Sequence, residues 1–232
     1  MLVHFNRRSD AALATASLAR ELGADALIDG CDFADAAQTT DFVARAFARW
    51  STIDAWVHCA GADVLTGDAA NLTFDQKLRR LIDVDLLGAI HAGRLVGERL
   101  QSQSKAQVDR APPSMVFVGW DQAGEGMEGD AGQMFAPVKA GVEAFAKSLA
   151  QQLGPAVRVN VIAPGWIKTS WGQRTSDYWN ERAINQSLMK RWGEPNDIAA
   201  AAVFLSAPTS AFITGQTLAI NGGWNRRYET SP

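Results

Sequence analysis

The chain has 232 residues, 47% hydrophobic and 20% charged, with a formal net charge of -3. That length and apolar fraction suit one globular domain, residues 1–232, with a sizeable core. The acidic balance offers no basic patch for nucleic acid, and no apolar run approaches the roughly 20 residues of a membrane span. The first residues do not read as a secretory signal, so a cytoplasmic protein is expected. Cys31 and Cys59 lie in strand-like surroundings and read as buried free thiols. His4, His58 and His91 are scattered, and no Cys/His cluster has metal spacing.

Met1 to Phe5 is a short apolar strand, followed by a turn, Asn6 to Asp10, in which Ser9 or Asp10 can cap the next helix. Ala11 to Leu22 is helical and stops at Gly23. Asp25 to Cys31 is the next strand. Asp35 to Trp50 is a helix with Phe42, Val43, Ala46 and Phe47 on its apolar face. Ile53 to Val57 is a strand that ends in His58-Cys-Ala-Gly61. A long helix, Phe74 to about Gln101, carries Leu78, Leu81, Ile82 and Leu86. Strands and helices then alternate to Gly223, the pattern of a parallel sheet covered on both faces and joined by right-handed crossovers.

The stretch from Trp120 to Lys139 stands between two apolar strands, Ser114 to Val118 and Val157 to Ala163. Phe135 and Lys139 are four residues apart and share a helix face. Together with Ala60-Gly61, Pro164 to Thr169, Gly215-Gln216 and Asn221 to Gly223, in this order and spacing, the chain resembles the short-chain dehydrogenase/reductases over essentially its whole length. The resemblance implies an α/β fold, a Rossmann-like doubly wound parallel sheet. It also implies a catalytic Tyr-x-x-x-Lys, a Ser at the end of the preceding strand and an Asn on the helix before that. Here the Lys is Lys139, but the Tyr position is Phe135, the Ser position is Trp120 and the Asn position is Asp85. Asp85 is expected to pair with Lys139. Asp121 and Glu125, in the Gly-rich loop that follows the strand, are the groups able to stand in as proton carriers. A variant with its Tyr six residues before the Lys finds Gln133. The remaining tyrosines are Tyr178 and Tyr228, and Tyr178 falls in a lid, about 166–192, with Trp166, Trp171 and Trp179. Those aromatics line a pocket, form an interface or pack onto their own core.

By the same resemblance Met1 falls at the family's second strand. No G-x-x-x-G-x-G or G-x-G-x-x-G near the start offers backbone N–H groups to a pyrophosphate. The first strand and glycine-rich turn are therefore missing, either because the start lies upstream of Met1 or because the unit is lost. In the second case Leu2–Phe5 is free to move into the vacant central slot. What remains of a cofactor site favours NADP, since Arg7 and Arg8 follow the first strand and no carboxylate ends it. Asp32 and Phe33 match the adenine position, Ala60 and Gly61 the ribose turn, and Pro164, Gly165, Ile167 and Thr169 the carboxamide loop. The expectation is a family member with weak or no carbonyl reductase activity, or else a non-catalytic ligand-binding or structural subunit. The family's two long helices, here near Phe74 to Gln101 and Gln133 to Leu153, imply a homo-oligomer, with a hetero-oligomer as the other arrangement.

Overall fold

A computed structural model describes residues 1–106 and 110–225; Tyr228 lies outside them. The elements run β1 (Leu2–Phe5), α1 (Ser9–Glu21), β2 (Leu27–Gly30), α2 (Ala36–Arg49), β3 (Ala55–His58), α3 (Phe74–Leu81), a wide π-helical turn (Ile82–Leu87), α4 (Gly88–Lys105), β4 (Ser114–Val118), α5 (Gly129–Leu153), β5 (Arg158–Pro164), α6 (Asp177–Gln186), α7 (Pro195–Ser206) and β6 (Thr217–Ile220).

Local chemistry sets several helix starts. The Asp35 carboxylate accepts the N–H groups of Ala37 and Gln38 and opens α2. Thr73 and Gln76 exchange side chain and backbone bonds in a capping box at α3. Neither Ser9 nor Asp10 caps α1. Arg8 holds the cap position without a side-chain bond, while Asp10, in the first turn, pairs with the Arg8 guanidinium at 3.0 Å.

β4 and β5 are buried along almost their whole length, as strands covered on both faces must be. Helices α4 and α5 lie side by side, α2 packs on α4, and α7 packs on β3, β4, β5 and β6. The main core joins Phe117, Met115, Val159 and Val161 to Leu100, Val142 and Ala146. Each such side chain taken from water contributes roughly 1.5–3 kcal/mol. Arg158, only 3% exposed, turns inward from β5. Its guanidinium donates to the carbonyls of Leu205, Ala207 and Ser210, tying the sheet to the end of α7.

All strand pairs are parallel, but they do not form one sheet. Among the described residues β1 pairs only with β2, and β3–β4–β5–β6 form a second sheet. The vacant position therefore lies between β1 and β3. Leu2–Phe5 has not moved into it: β1 keeps its full register beside β2, Leu2 opposite Leu27 through Phe5 opposite Gly30. Among the described residues no helix is long and apolar enough to cross a membrane.

Candidate active site

The C-terminal end of β4 reaches Lys139 through the Val118 carbonyl, and the loop after β3 reaches it through Asp85. Helix α5 carries Phe135 and Lys139 one turn apart on the same side, and the wide turn Ile82–Leu87 presents Asp85 to them. An extra residue per turn rotates the side chains of such a segment, a recurrent device at functional sites. Lys139 Nζ lies 2.9 Å from Asp85 Oδ2, with the Asp85 side chain 3% exposed, so the expected pair is formed. Lys139 also donates to the Val118 carbonyl at 3.3 Å, and Asp85 Oδ1 accepts the Ala62 N–H at 2.7 Å. Gly61 is packed against this carboxylate, since a Cβ there would stand 3.1 Å from Asp85 Oδ2.

The Phe135 ring lies 6.4 Å from the Trp120 ring in an edge-to-face pair. Phe135 belongs to a small apolar cluster with Val64, Leu81, Met134 and Val138. The corner that would need a proton donor thus holds two rings and a neutralised cation.

The two stand-ins separate. Glu125 is exposed in the loop. Asp121 sits at the end of β4 and accepts the Asn221 amide at 3.0 Å, while its other carboxylate oxygen has no partner. Burial pushes its carboxyl up to about 6, against the Asn221 bond that lowers it. Gly165 permits this contact; a Cβ there would fall 2.5 Å from Asn221 Cβ and 3.1 Å from Asp121 Oδ2. Asn221 lies in the Asn-Gly-Gly motif, Asn221 to Gly223. Gln133 is exposed.

The lid closes on itself. Trp166 stacks on Trp171 at 6.3 Å and meets Trp179 at 5.7 Å and Trp192 at 6.1 Å. Trp166 donates to Gln186 and Trp192 to Asn180, and the Arg182 guanidinium covers Trp179 at 5.1 Å. Tyr178 is 61% exposed and bonds Arg182, so its hydroxyl serves the lid.

The expected cofactor positions fit a dinucleotide only in part. Arg7 and Arg8 line an open cleft of about 430 Å³ with Gly61, Asp63 and Arg80. Arg80 was not legible in the sequence, because a cation on a helix surface is ordinarily solvated. Asp32 caps its own turn, accepting the Ala34 N–H, and Phe33 is buried in the core. Ala60 packs against the core and Gly61 against Asp85. Pro164 and Gly165 end β5, where the Gly165 N–H donates to Ile220. Ile167 is pinned by a bridge to Gly193, and Thr169 is exposed beside it. Among the described residues, no glycine turn stands between the arginine cleft and the carboxamide loop, where a pyrophosphate would lie. One further expectation fails: Cys31 is buried, but Cys59 is exposed just after β3.

A family model described as enoyl-(acyl carrier protein) reductase matches residues 1–225. The chain is 32% identical over 220 residues to the short-chain reductase protein NovJ of Streptomyces niveus, covering 90% of this chain and 79% of that one. It is 34% identical over 172 residues to the 3-oxoacyl-(acyl-carrier-protein) reductase FabG of Vibrio harveyi, covering 71% and 67%. Its fold superposes on a gluconate 5-dehydrogenase of Burkholderia cenocepacia, in complex with NADP and tartrate, with a TM-score of 0.80, 20% identity and coverage of 96% and 84%.

Proposed function

The chain belongs to the short-chain dehydrogenase/reductase family, and from that premise we propose a member that has kept the family's fold and given up its carbonyl reduction. Reduction needs a proton for the forming alkoxide, and Phe135 has none to give. General acid catalysis is worth about 10²–10⁴-fold.

The single observation that carries the reading is the buried ion pair, Lys139 Nζ to Asp85 Oδ2 at 2.9 Å. A lysine beside a phenol favours its ionised form. Here the carboxylate cancels that field, so restoring the hydroxyl alone does not restore the chemistry. Trp120 also fills the space beside Phe135 that a substrate carbonyl would need.

The remaining function is binding. The arginine cleft suits an anionic group, which favours the 2′-phosphate of NADP over NAD. The nicotinamide cofactor would supply a hydride when bound; neither Phe135 nor Trp120 can supply the proton that completes carbonyl reduction. Binding without turnover is the role we assign, in a cytoplasmic homo-oligomer assembled through α4 and α5. Free Cys31 and Cys59 agree with a reducing compartment.

The test is NADPH consumption by purified protein with a 3-oxoacyl thioester. Wild type and Phe135→Tyr are expected at background, and Phe135→Tyr combined with Trp120→Ser and Asp85→Asn above it. Wild-type turnover near the usual enzymatic range, about 1–10³ s⁻¹, would overturn the reading.

A further inference from the structure

Helix α6 is held differently from every other long helix. Among the described residues it packs broadly on no strand and on no other helix. Its C-terminal end is tied down: the Asn225 N–H donates to the Gln186 carbonyl at 2.8 Å, and the N–H groups of Leu188 and Met189 donate to Gly223 and Gly222. The rest of its length leans on the Trp166, Trp171, Trp179 and Trp192 rings inside the lid, and on Arg182.

Arg182 is the side chain that reaches out of the lid. Its guanidinium lies over the Trp179 ring at 5.1 Å and the Trp166 ring at 5.9 Å, and the side chain is 14% exposed. Both terminal nitrogens donate to the Glu128 carboxylate, Nη2 to Oε2 at 3.0 Å, while the buried Nε has no partner. Glu128 occupies the cap position of α5, yet its side chain accepts no N–H of that helix and turns to the lid instead. Gly126 and Gly129 flank it with left-handed backbone, at φ 81° and 80°, so the turn that presents the carboxylate needs residues without a Cβ. Seven residues further on, Phe135 lies on the same face of α5.

We propose that the Glu128–Arg182 pair is an electrostatic latch. It holds α6 against the start of α5, and its release lets α6 swing away and uncover that end of the helix. The physical reason is desolvation. A guanidinium laid against two indoles has given up most of its water and needs a counter-charge in its place. The bidentate carboxylate is that counter-charge. Without it the cation regains hydration only by leaving the rings, and α6, with no broad contact to the sheet, moves with it. Glu128 is the accessible side of the latch, since its side chain is 68% exposed and open to dissolved ions. Salt therefore loosens the clasp and leaves the indole cluster itself unchanged. The latch acts with or without a bound nucleotide.

The test is fluorine NMR on protein whose 8 tryptophans are replaced by 5-fluorotryptophan. Trp179→Phe assigns the lid signal, and Trp56 in β3 is the control. The open fraction read from the Trp179 signal is expected to rise about fivefold in Glu128→Gln. A similar rise is expected in the wild type between about 0.02 M and about 0.5 M NaCl. Glu128→Lys sets two cations against each other, so its lid is expected open at low salt and to close as salt screens the repulsion. That reversed sign separates a latch from general loosening. A Trp179 signal that is the same in wild type and Glu128→Gln would overturn the proposal. So would a salt response of the same sign in wild type and Glu128→Lys, or a Trp56 signal that moves together with Trp179.

Discussion

The two sheets of this molecule are built from similar apolar strands and held in opposite ways. β4 and β5 are buried along almost their whole length between α4 and α5 on one side and α7 on the other. β1 and β2 are half-buried throughout, with one neighbour each. A parallel strand needs two neighbours and two covers to reach full burial. The strands of the smaller sheet have α1 and the Phe33 and Phe42 rings, and among the described residues no strand lies between β1 and β3. Stability is therefore concentrated in the four-stranded half, where the candidate site also lies.

Core truncation tests this contrast most strongly. Phe117 is fully buried, between the His58 and Phe145 rings. Phe117→Ala is expected to cost about 3–5 kcal/mol. Leu2→Ala, in the half-buried strand, is expected to cost less than half of that. Urea denaturation of both variants measures the difference, and equal losses would break the comparison. Hydrogen exchange sharpens it: the β1 and β2 amides are expected to exchange before those of β4 and β5, through local opening below the global free energy.

The ion pair comes next in size. Lys139→Met leaves Asp85 buried with only the Ala62 N–H, and is expected to cost about 3 kcal/mol. Adding Asp85→Leu removes the stranded charge and is expected to recover most of that loss. If the double variant is as unstable as the single, the pair is not what Lys139 contributes, and the reading of the site weakens with it.

Much of this was legible in the sequence, for definite reasons. Strand and helix order follows apolar period, and the Lys139–Asp85 pair follows from two charges brought to one motif position. The split sheet was legible only as a missing unit, because sequence does not say whether β1 shifts or stays. The turn of α1 was misplaced, since Ser9 and Asp10 both look like caps and the distinction is one residue. Arg158 was unreadable: in a strand pattern a cation reads as solvent-facing, and the carbonyls that satisfy it come from residues 205 to 210. The Asp121–Asn221 contact spans 100 residues and depends on Gly165 letting two backbones approach.

The smallest effect is a pH dependence with two opposed sources, one at each side of the contrast. His58, beside the gap between the sheets, is held down to about 3 by burial, with Lys139 adding repulsion. Its folded pKa lies below the unfolded value of 6.5, so its contribution is complete above 6.5 and is lost as pH falls toward 3. Asp121, in the well-packed half, is raised from 3.8 to about 6. Its contribution is complete below 3.8 and is lost as pH rises through 6. Between pH 4 and 6 the two slopes oppose, and the wild-type curve alone hides both. Asp121→Asn removes one slope and keeps the Asn221 contact. The stability difference, wild type minus variant, is expected to fall by about 1–2 kcal/mol from pH 4 to 7, after discounting for the partial exposure of Asp121. A difference that stays flat over that range would mean that Asp121 ionises in the folded protein as it does in the unfolded chain, and would remove it from the groups able to carry a proton at this edge of the sheet.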